Sequence, residues 1–255
     1  MRAILAFLLL AATLPAQDSK AWLQRGMKAY KTANYPQAVE AFEKAVEFNP
    51  DDVTPRLYLA LSWYQQYIPG ADSPENLDCA HKAQEEFSKV LELAPENIQA
   101  LQSLASLSFY QKKWDDAISW NKKVISADPQ NKQAYYTLGV IAWSQFYPKY
   151  GAARAQLGMT PDAPGPLPPS AAKLKLKDEF SAVVNEGIAN LGKALEIDPD
   201  YDDAMAYMNL LVREQGDLLD TREEWERAAA KGDEWVQRNL ETKRKKAAAG
   251  KREFR

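Results

Sequence analysis

The side chains most often used for catalysis are scarce in this sequence. It contains one cysteine and one histidine, Cys79 and His81, which excludes a two-histidine metal site, a CxxC redox pair and a haem attachment motif. Side chains two positions apart diverge on a helix, so we do not expect a Cys–His nucleophile pair. The sequence has no glycine-rich phosphate loop, GxSxG motif or HExxH motif. We therefore predict that the chain is not an enzyme and needs no cofactor or metal.

Carboxylates are abundant, but their positions explain them without acid–base chemistry. Paired aspartates occur at 51–52, 115–116 and 202–203, each next to a proline or at the start of a helical pattern. Aspartate at such places accepts hydrogen bonds from the free backbone N–H groups of the first helical turn. We interpret these pairs as helix caps.

Composition and charge indicate a water-soluble protein with enough apolar material for a core. Hydrophobic residues make up 46% of the 255 residues and charged residues 26%. The net charge of −3 gives no overall attraction to nucleic acid, which we do not expect as a partner. A single cysteine excludes an intramolecular disulfide, so stability must come from packing.

The N-terminus has the layout of a secretory signal peptide. Arg2 precedes an apolar run from residue 3 to 12, and Leu14, Pro15 and Ala16 follow. The run is shorter than the roughly 20 residues that a membrane-spanning helix needs. We predict cleavage after Ala16 and a mature chain in the periplasm or outside the cell.

The C-terminus carries a basic run, KRKKAAAGKREFR, in an otherwise acidic chain. Seven basic residues stand against one glutamate; they are Lys243, Arg244, Lys245, Lys246, Lys251, Arg252 and Arg255. Such asymmetry is typical of an interaction tail, and its target would be an anionic lipid surface or an acidic partner. The alternative is a solvated helix end whose positive charges interact favourably with the helix dipole.

Four segments of the sequence share one ending, in which an apolar helical pattern stops at proline. They are AVEFNP at 45–50, VLELAP at 90–95, VISADP at 124–129 and ALEIDP at 194–199. Pro95 and Pro129 are 34 residues apart, the length of one helix-turn-helix repeat. The wider gaps between the other prolines indicate the same unit with insertions.

The segment AWLQRGMKAYKTANYPQAVEAFEKAVEFNP at 21–50 resembles a tetratricopeptide repeat. It carries the residues that define this repeat at Trp22, Gly26, Ala38, Phe42, Ala45 and Pro50, whereas Arg25 and Ala29 depart from it. The third unit fits without gaps at Leu104, Ala105, Ala117, Val124 and Pro129. The resemblance covers about residues 19–216.

The resemblance implies an all-α fold, a right-handed superhelical stack of helix-turn-helix repeats with a C-terminal capping helix. We predict repeats at about 19–52, 53–97, 98–131 and 132–201, a partial repeat at 202–216, insertions at about 68–78 and 145–180, a capping helix at 217–246 and a disordered tail at 247–255. The larger insertion contains PDAPGPLPP, which predicts an extended, irregular segment. Either it docks on its own repeat, which we favour, or it contacts a partner.

In proteins of this family the first helices line a concave face, and one equivalent position there holds an aromatic residue in four units. These residues are Tyr30, Tyr64, Phe109 and Trp143. The neighbouring candidates for a partner groove are Met27, Leu57, Tyr58, Leu61, Gln102, Ser106, Tyr136 and Val140. Aromatic side chains suit binding surfaces, but packing between helices also explains them.

The sequence thus predicts a non-catalytic scaffold that binds a peptide or protein partner in the groove, within an envelope or extracellular assembly. The alternative is an electrostatic surface-binding protein. In that case the basic tail holds an anionic lipid or acidic partner, with peripheral membrane contact, and the repeats act as a spacer.

Overall fold

A computed structural model describes residues 14–160 and 163–253, and these ranges contain helices and connections but no β-strand. The helices are α1 (Leu14–Lys31), α2 (Tyr35–Phe48), α3 (Val53–Tyr64), α4 (Pro74–Leu93), α5 (Ile98–Tyr110), α6 (Trp114–Ala127), α7 (Lys132–Gln156), α8 (Ala171–Ile197), α9 (Asp202–Asp217) and α10 (Arg222–Glu253). The chain divides into two compact units between Ala127 and Asp128. The signal peptide predicted for residues 1–16 falls mostly outside the described residues and stays a prediction.

Unit 1 consists of three consecutive helix pairs, α1 with α2, α3 with α4 and α5 with α6. Small residues at the contacts allow close approach: Ala38, Ala45 and Ala83 are fully buried beside the rings of Phe42 and Phe87. The first helices of successive pairs, α1, α3 and α5, also approach one another. Each pair thereby covers apolar surface that its neighbour leaves open.

Short polar residues start the helices where the sequence pattern predicts a turn. The side chains of Asn34, Asp52, Ser73 and Asn97 accept hydrogen bonds from backbone N–H groups in the first turns of α2, α3, α4 and α5. These bonds satisfy donors that a helix start leaves free. At residue 52 this agrees with the interpretation of the aspartate pair as a cap.

Unit 2 contains a long pair, α7 with α8, followed by α9 with α10. Its core includes the fully buried side chains of Phe146, Leu191, Met205 and Leu211. The predicted capping helix α10 packs along α9 as the second helix of a fifth pair. Its start is fixed by Thr221, whose hydroxyl accepts from the backbone N–H of Glu224 at 3.2 Å while the Glu224 carboxylate accepts from the backbone N–H of Thr221 at 3.1 Å.

The larger insertion is more helical than its proline content suggested. Helix α7 continues to Gln156 with Pro148 inside it, and α8 begins at Ala171. The buried rings of Phe146 and Tyr150 flank Pro148 and hold this stretch against the core. Among the described residues, the irregular connection is therefore confined to those between α7 and α8, where Leu167 is fully buried.

The described part of the predicted disordered tail is helical. The backbone of α10 is helical through Glu253, beyond residue 246, where the sequence analysis ended the capping helix. Residues 247–249 are three alanines, and alanine has the highest helix propensity. Intrinsic propensity therefore extends the helix into the basic run.

Two glycines in unit 2 test the close packing of the α7–α8 pair. A Cβ atom at Gly139 would lie 2.4 Å from Cγ of the buried Leu191, whereas a Cβ at Gly192 would meet nothing within 4 Å. We expect Gly139→Ala to lower the free energy of unfolding by about 1–3 kcal/mol. Gly192→Ala should raise it by about 0.5–1 kcal/mol through helix propensity. Urea unfolding followed by circular dichroism measures both, and equal effects of the two substitutions would contradict this packing.

Candidate functional site

The aromatic residues predicted for the groove in unit 1 connect successive first helices. The ring of Tyr30 on α1 lies 5.5 Å from that of Tyr58 on α3, and its hydroxyl is hydrogen bonded to Gln65. The hydroxyl of Tyr64 on α3 is hydrogen bonded to Ser106 on α5. Burial raises the pKa of Tyr30 and of Tyr64, so both remain neutral donors at physiological pH. These side chains are half-buried, with packing and surface roles combined.

Phe109 lies at the end of α5 in a small aromatic group. Its ring is 5.8 Å from that of Tyr110 and 5.7 Å from that of Trp114. Tyr110 is 46% exposed and interacts electrostatically with Tyr64. The sequence analysis missed Tyr110, because the equivalent position in the other repeats is not aromatic and only its adjacency to Phe109 signals it.

The remaining candidates of unit 1 differ in accessibility. Met27, Leu57 and Gln102 are half-buried, but Leu61 is 5% exposed and belongs to the core. We define the first-helix face of unit 1 as the accessible set without Leu61: Met27, Tyr30, Leu57, Tyr58, Tyr64, Gln102, Ser106, Phe109 and Tyr110. Its residues are apolar or neutral polar.

In unit 2 the first helices α7 and α9 contact each other, and aromatic rings line their contact. The ring of Trp143 stacks on Tyr147 at 4.7 Å and meets Tyr207 of α9 edge-on at 5.5 Å. Tyr136 extends the row through Tyr207 at 5.8 Å. Val140, also predicted for the groove, is 6% exposed and belongs to the core, so it cannot line a partner groove in unit 2.

Glu214 of α9 is buried against this aromatic row. It is 6% exposed, and its Oε1 accepts a hydrogen bond from Nε1 of Trp143 at 3.1 Å. Its other oxygen, Oε2, is buried and has no hydrogen-bond partner among the described residues. Burial raises the pKa of Glu214 to about 8, and the negative charge of Asp217 makes a smaller contribution in the same direction. The hydrogen bond from Trp143 acts in the opposite direction and lowers this pKa. The sequence analysis did not identify this residue.

Beside Glu214 lies a buried ion pair that holds the proline-rich connection. The guanidinium of Arg154 contacts the Asp217 carboxylate at 2.6 Å, and each side chain is 5% exposed. Asp217 also accepts from the hydroxyl of Tyr150 at 2.6 Å and from Nε1 of Trp225 at 2.7 Å. Such a pair requires many hydrogen bonds to offset its desolvation.

The backbone of the connection completes this network. Arg154 donates to the carbonyl oxygens of Thr160 at 2.8 Å and Ala163 at 2.5 Å. The backbone N–H of Leu167 donates to the Asp217 carbonyl at 3.0 Å. The described part of the insertion therefore docks on its own unit, which is the alternative that the sequence analysis favoured.

The one cysteine and the one histidine do not form a reactive pair. Burial, and the neighbouring charge of Asp78, raise the pKa of the Cys79 thiol, which disfavours the nucleophilic thiolate. The exposed His81 lies 3.7 Å from the Glu85 carboxylate rather than at the thiol. Within the described residues, no three metal-binding side chains are grouped so as to hold an ion.

The basic run is exposed on α10 as far as its side chains are described. Lys243, Arg244 and Lys245 are exposed, and Lys246 pairs with Asp202 of α9. The side chains of Lys251, Arg252 and Arg255 lie outside the described residues. In the part of the chain that the structure describes, no helix is long and apolar enough to cross a membrane.

Within each unit, antiparallel helix pairs packed through their first helices define a helical-repeat scaffold. The sequence model of the tetratricopeptide repeat matches residues 19–52. This match confirms the tetratricopeptide repeat that the sequence predicted for the first unit.

Solved structures with the same fold cover nearly the whole chain. A crystal structure of MamA protein is 16% identical and covers 91% of this chain and 96% of that one, with a TM-score of 0.61. MamA 41-end from Desulfovibrio magneticus RS-1 is 15% identical and covers 89% and 96%, with a TM-score of 0.58. Comparison with curated protein sequences gave no match. At these identities the likeness establishes the fold alone.

The raised pKa of Glu214 predicts a pH-dependent penalty on stability. The carboxyl titrates near 4.5 when unfolded and at about 8 when folded. Between these values the folded state retains a proton that the unfolded state has released, so stability falls as pH rises through this window. Glu214→Gln, which keeps the acceptor for Trp143, should be more stable than wild type by roughly 1–3 kcal/mol at pH 8.5 and equal to it at pH 4.

Urea unfolding across that pH range tests this expectation. The matched control is Glu196→Gln, an exposed carboxylate of unit 2, which should leave the pH profile of the wild type unchanged. Parallel profiles for wild type and Glu214→Gln would show that Glu214 is not a proton-holding buried acid.

Proposed function

We propose that this chain is a non-catalytic protein–protein interaction scaffold whose first-helix face in unit 1 binds an extended or helical segment of a protein partner. The tetratricopeptide fold supports the scaffold role. Because such folds carry many unrelated partners, the choice of surface rests on the residues of this chain.

The observation that carries this proposal is the aromatic surface shared by α1, α3 and α5. The rings of Tyr30 and Tyr58 are in contact, Tyr64 and Tyr110 interact electrostatically, and Tyr110 leaves nearly half of its surface open. Tyrosine offers a large contact area, a polar end and little side-chain entropy to lose. A face with aromatic and neutral polar groups suits a segment with apolar side chains and free backbone groups.

The alternative function uses the basic end of α10. Lys243, Arg244 and Lys245 are exposed near Leu240, which is 42% exposed, so this helix end combines cations with an apolar side chain. Such a surface suits an anionic lipid headgroup or an acidic partner. Electrostatic binding of this kind falls with salt, whereas binding by the aromatic face does not.

Export to the periplasm or the cell exterior is part of the proposal and rests on the first sixteen residues of the sequence. Expression of the full chain in a bacterium, followed by fractionation and N-terminal sequencing, should give a periplasmic or secreted protein that begins at Gln17. A cytoplasmic protein that retains Arg2 would refute it.

Peptide binding to the face of unit 1 can be tested without a known partner. A peptide is selected from a displayed library on the full chain, and its affinity for wild type is compared with that for Tyr110→Ala. We expect at least a tenfold loss, equal to about 1.4 kcal/mol, because Tyr110 is exposed on the face and its removal leaves the core intact. Isothermal calorimetry at 50 mM and 500 mM salt measures both the loss and its salt dependence.

The matched control is Phe48→Ala, an aromatic residue of similar exposure on the second helix α2, which should change the affinity less than twofold. A second variant neutralises Lys243, Arg244 and Lys245. If this variant and high salt abolish binding while Tyr110→Ala does not, the binding surface is the basic end of α10 and not the first-helix face. Equal effects of Tyr110→Ala and Phe48→Ala would refute the first-helix face.

A further inference from the structure

The first helices of unit 2 carry a second surface, of different chemistry from that in unit 1. Four aromatic residues, Tyr136, Trp143, Tyr147 and Tyr207, form a continuous row between α7 and α9. Aromatic faces attract cations through their quadrupoles.

Resident cations occupy both ends of this region. At one end Lys132 lies 5.0 Å from the ring centre of Tyr201 and pairs with Asp198 at 2.5 Å. At the other end Arg154 lies 5.4 Å from the ring centre of Tyr150 and pairs with Asp217. Each end thus combines an aromatic ring, a carboxylate and a basic side chain.

The middle of the row has the ring and the carboxylate without the cation. Trp143 donates to one oxygen of Glu214, the other oxygen of Glu214 is buried without a partner, and no basic side chain of the described residues lies over the Trp143 ring. The titratable groups that interact with Glu214 are Asp217 on its own helix and, on α7, the neutral hydroxyl of Tyr150. Asp217 is paired with Arg154, whereas no basic side chain among the described residues pairs with Glu214.

We infer that Trp143 and Glu214 form a subsite for a cationic side chain with N–H donors, an arginine or lysine of the protein partner. The inference rests on the proposed scaffold function and names what the partner inserts in unit 2. A donor from the ligand would satisfy the free oxygen of Glu214, and the Trp143 ring would hold the cation from one side. This is a charge-assisted hydrogen bond combined with a cation–π contact.

The aromatic row has a side that can admit such a group. Tyr147 is 44% exposed and rests on Trp143 by stacking, with a looser 6.4 Å contact to Tyr150. Tyr147 is not part of the buried core. A guanidinium would replace it on the Trp143 face, because planar guanidinium groups stack on aromatic rings.

Binding of a cation at this subsite depends on pH, because Glu214 must be ionised to pair with it. Burial raises the pKa of Glu214 to about 8, so the free protein holds a proton that an incoming cation would displace. Binding is therefore best measured at pH 8.5, where the carboxylate is mostly ionised in the free state. The displaced proton leaves to buffer, and no other reactant is needed.

The test uses a pair of small probes on the full chain. Nα-acetyl-arginine methylamide carries the cation, and Nα-acetyl-citrulline methylamide has nearly the same shape without the charge. The readout is the indole N–H resonance of Trp143 in a ¹⁵N spectrum, assigned with Trp143→Phe. We expect saturable shifts with the arginine probe and at least tenfold weaker binding of the citrulline probe.

Variants keep the test specific to the carboxylate. Glu214→Gln, which retains an acceptor for Trp143, should weaken the arginine probe at least tenfold, and Glu196→Gln should change it less than twofold. Circular dichroism checks that both fold. No saturable binding of the arginine probe, equal binding of citrulline, or equal effects of the two variants would overturn the inference. Because these probes do not involve the face of unit 1, their failure is distinct from failure of peptide binding there.

Discussion

Within each unit, a helix pair carries apolar surface that its own two helices cannot cover, and the structure of the unit follows from covering that surface with the next pair. The packing is tight where the pairs close, as at Gly139 against Leu191, where one added carbon would overlap. The same constraint places the first helices within reach of one another. Side chains such as Tyr30 and Tyr64 therefore pack between pairs while part of each ring remains at the surface.

Unit 2 covers its apolar surface with a longer helix pair, α7 with α8, and it also buries charged side chains. Arg154 and Asp217 bring the proline-rich connection onto the unit, and Leu167 fills the core from that connection. Glu214 lies next to this pair without a cation of its own. A buried acid with a free oxygen costs stability, and such groups concentrate at functional sites. A ligand that donates to the free oxygen of Glu214 would offset that cost.

The sequence was sufficient for the repeat architecture because proline, glycine and alanine recur at fixed positions. It also located the aromatic residues of the first helices. It could not separate Leu61 and Val140, which are core, from Met27 and Tyr110, which are accessible, since one helical period serves both roles. Pro148 was misleading because tertiary contacts of the neighbouring rings outweighed its tendency to break a helix. The end of α10 was misleading because the helix propensity of the three alanines outweighed the repulsion within the basic run.

Glu214 shows most clearly what the sequence cannot contain. Nothing in the segment around it distinguishes a buried carboxylate from an exposed one, because its partner Trp143 lies 71 positions away on another helix. The buried pair of Arg154 and Asp217 is hidden for the same reason. Only the fold brings these groups together.

The subsite in unit 2 depends most on the ionisation of Glu214, and the pKa of this carboxyl can be measured directly. A ¹³C spectrum of glutamate side-chain carboxyls, recorded from pH 3 to 10 on wild type and on Glu214→Gln, identifies the Glu214 signal by its absence in the variant. We predict that this carboxyl titrates near pH 8. Titration between pH 4 and 5, as for an exposed glutamate, would contradict the claim that Glu214 is a buried carboxyl that binds a cationic side chain.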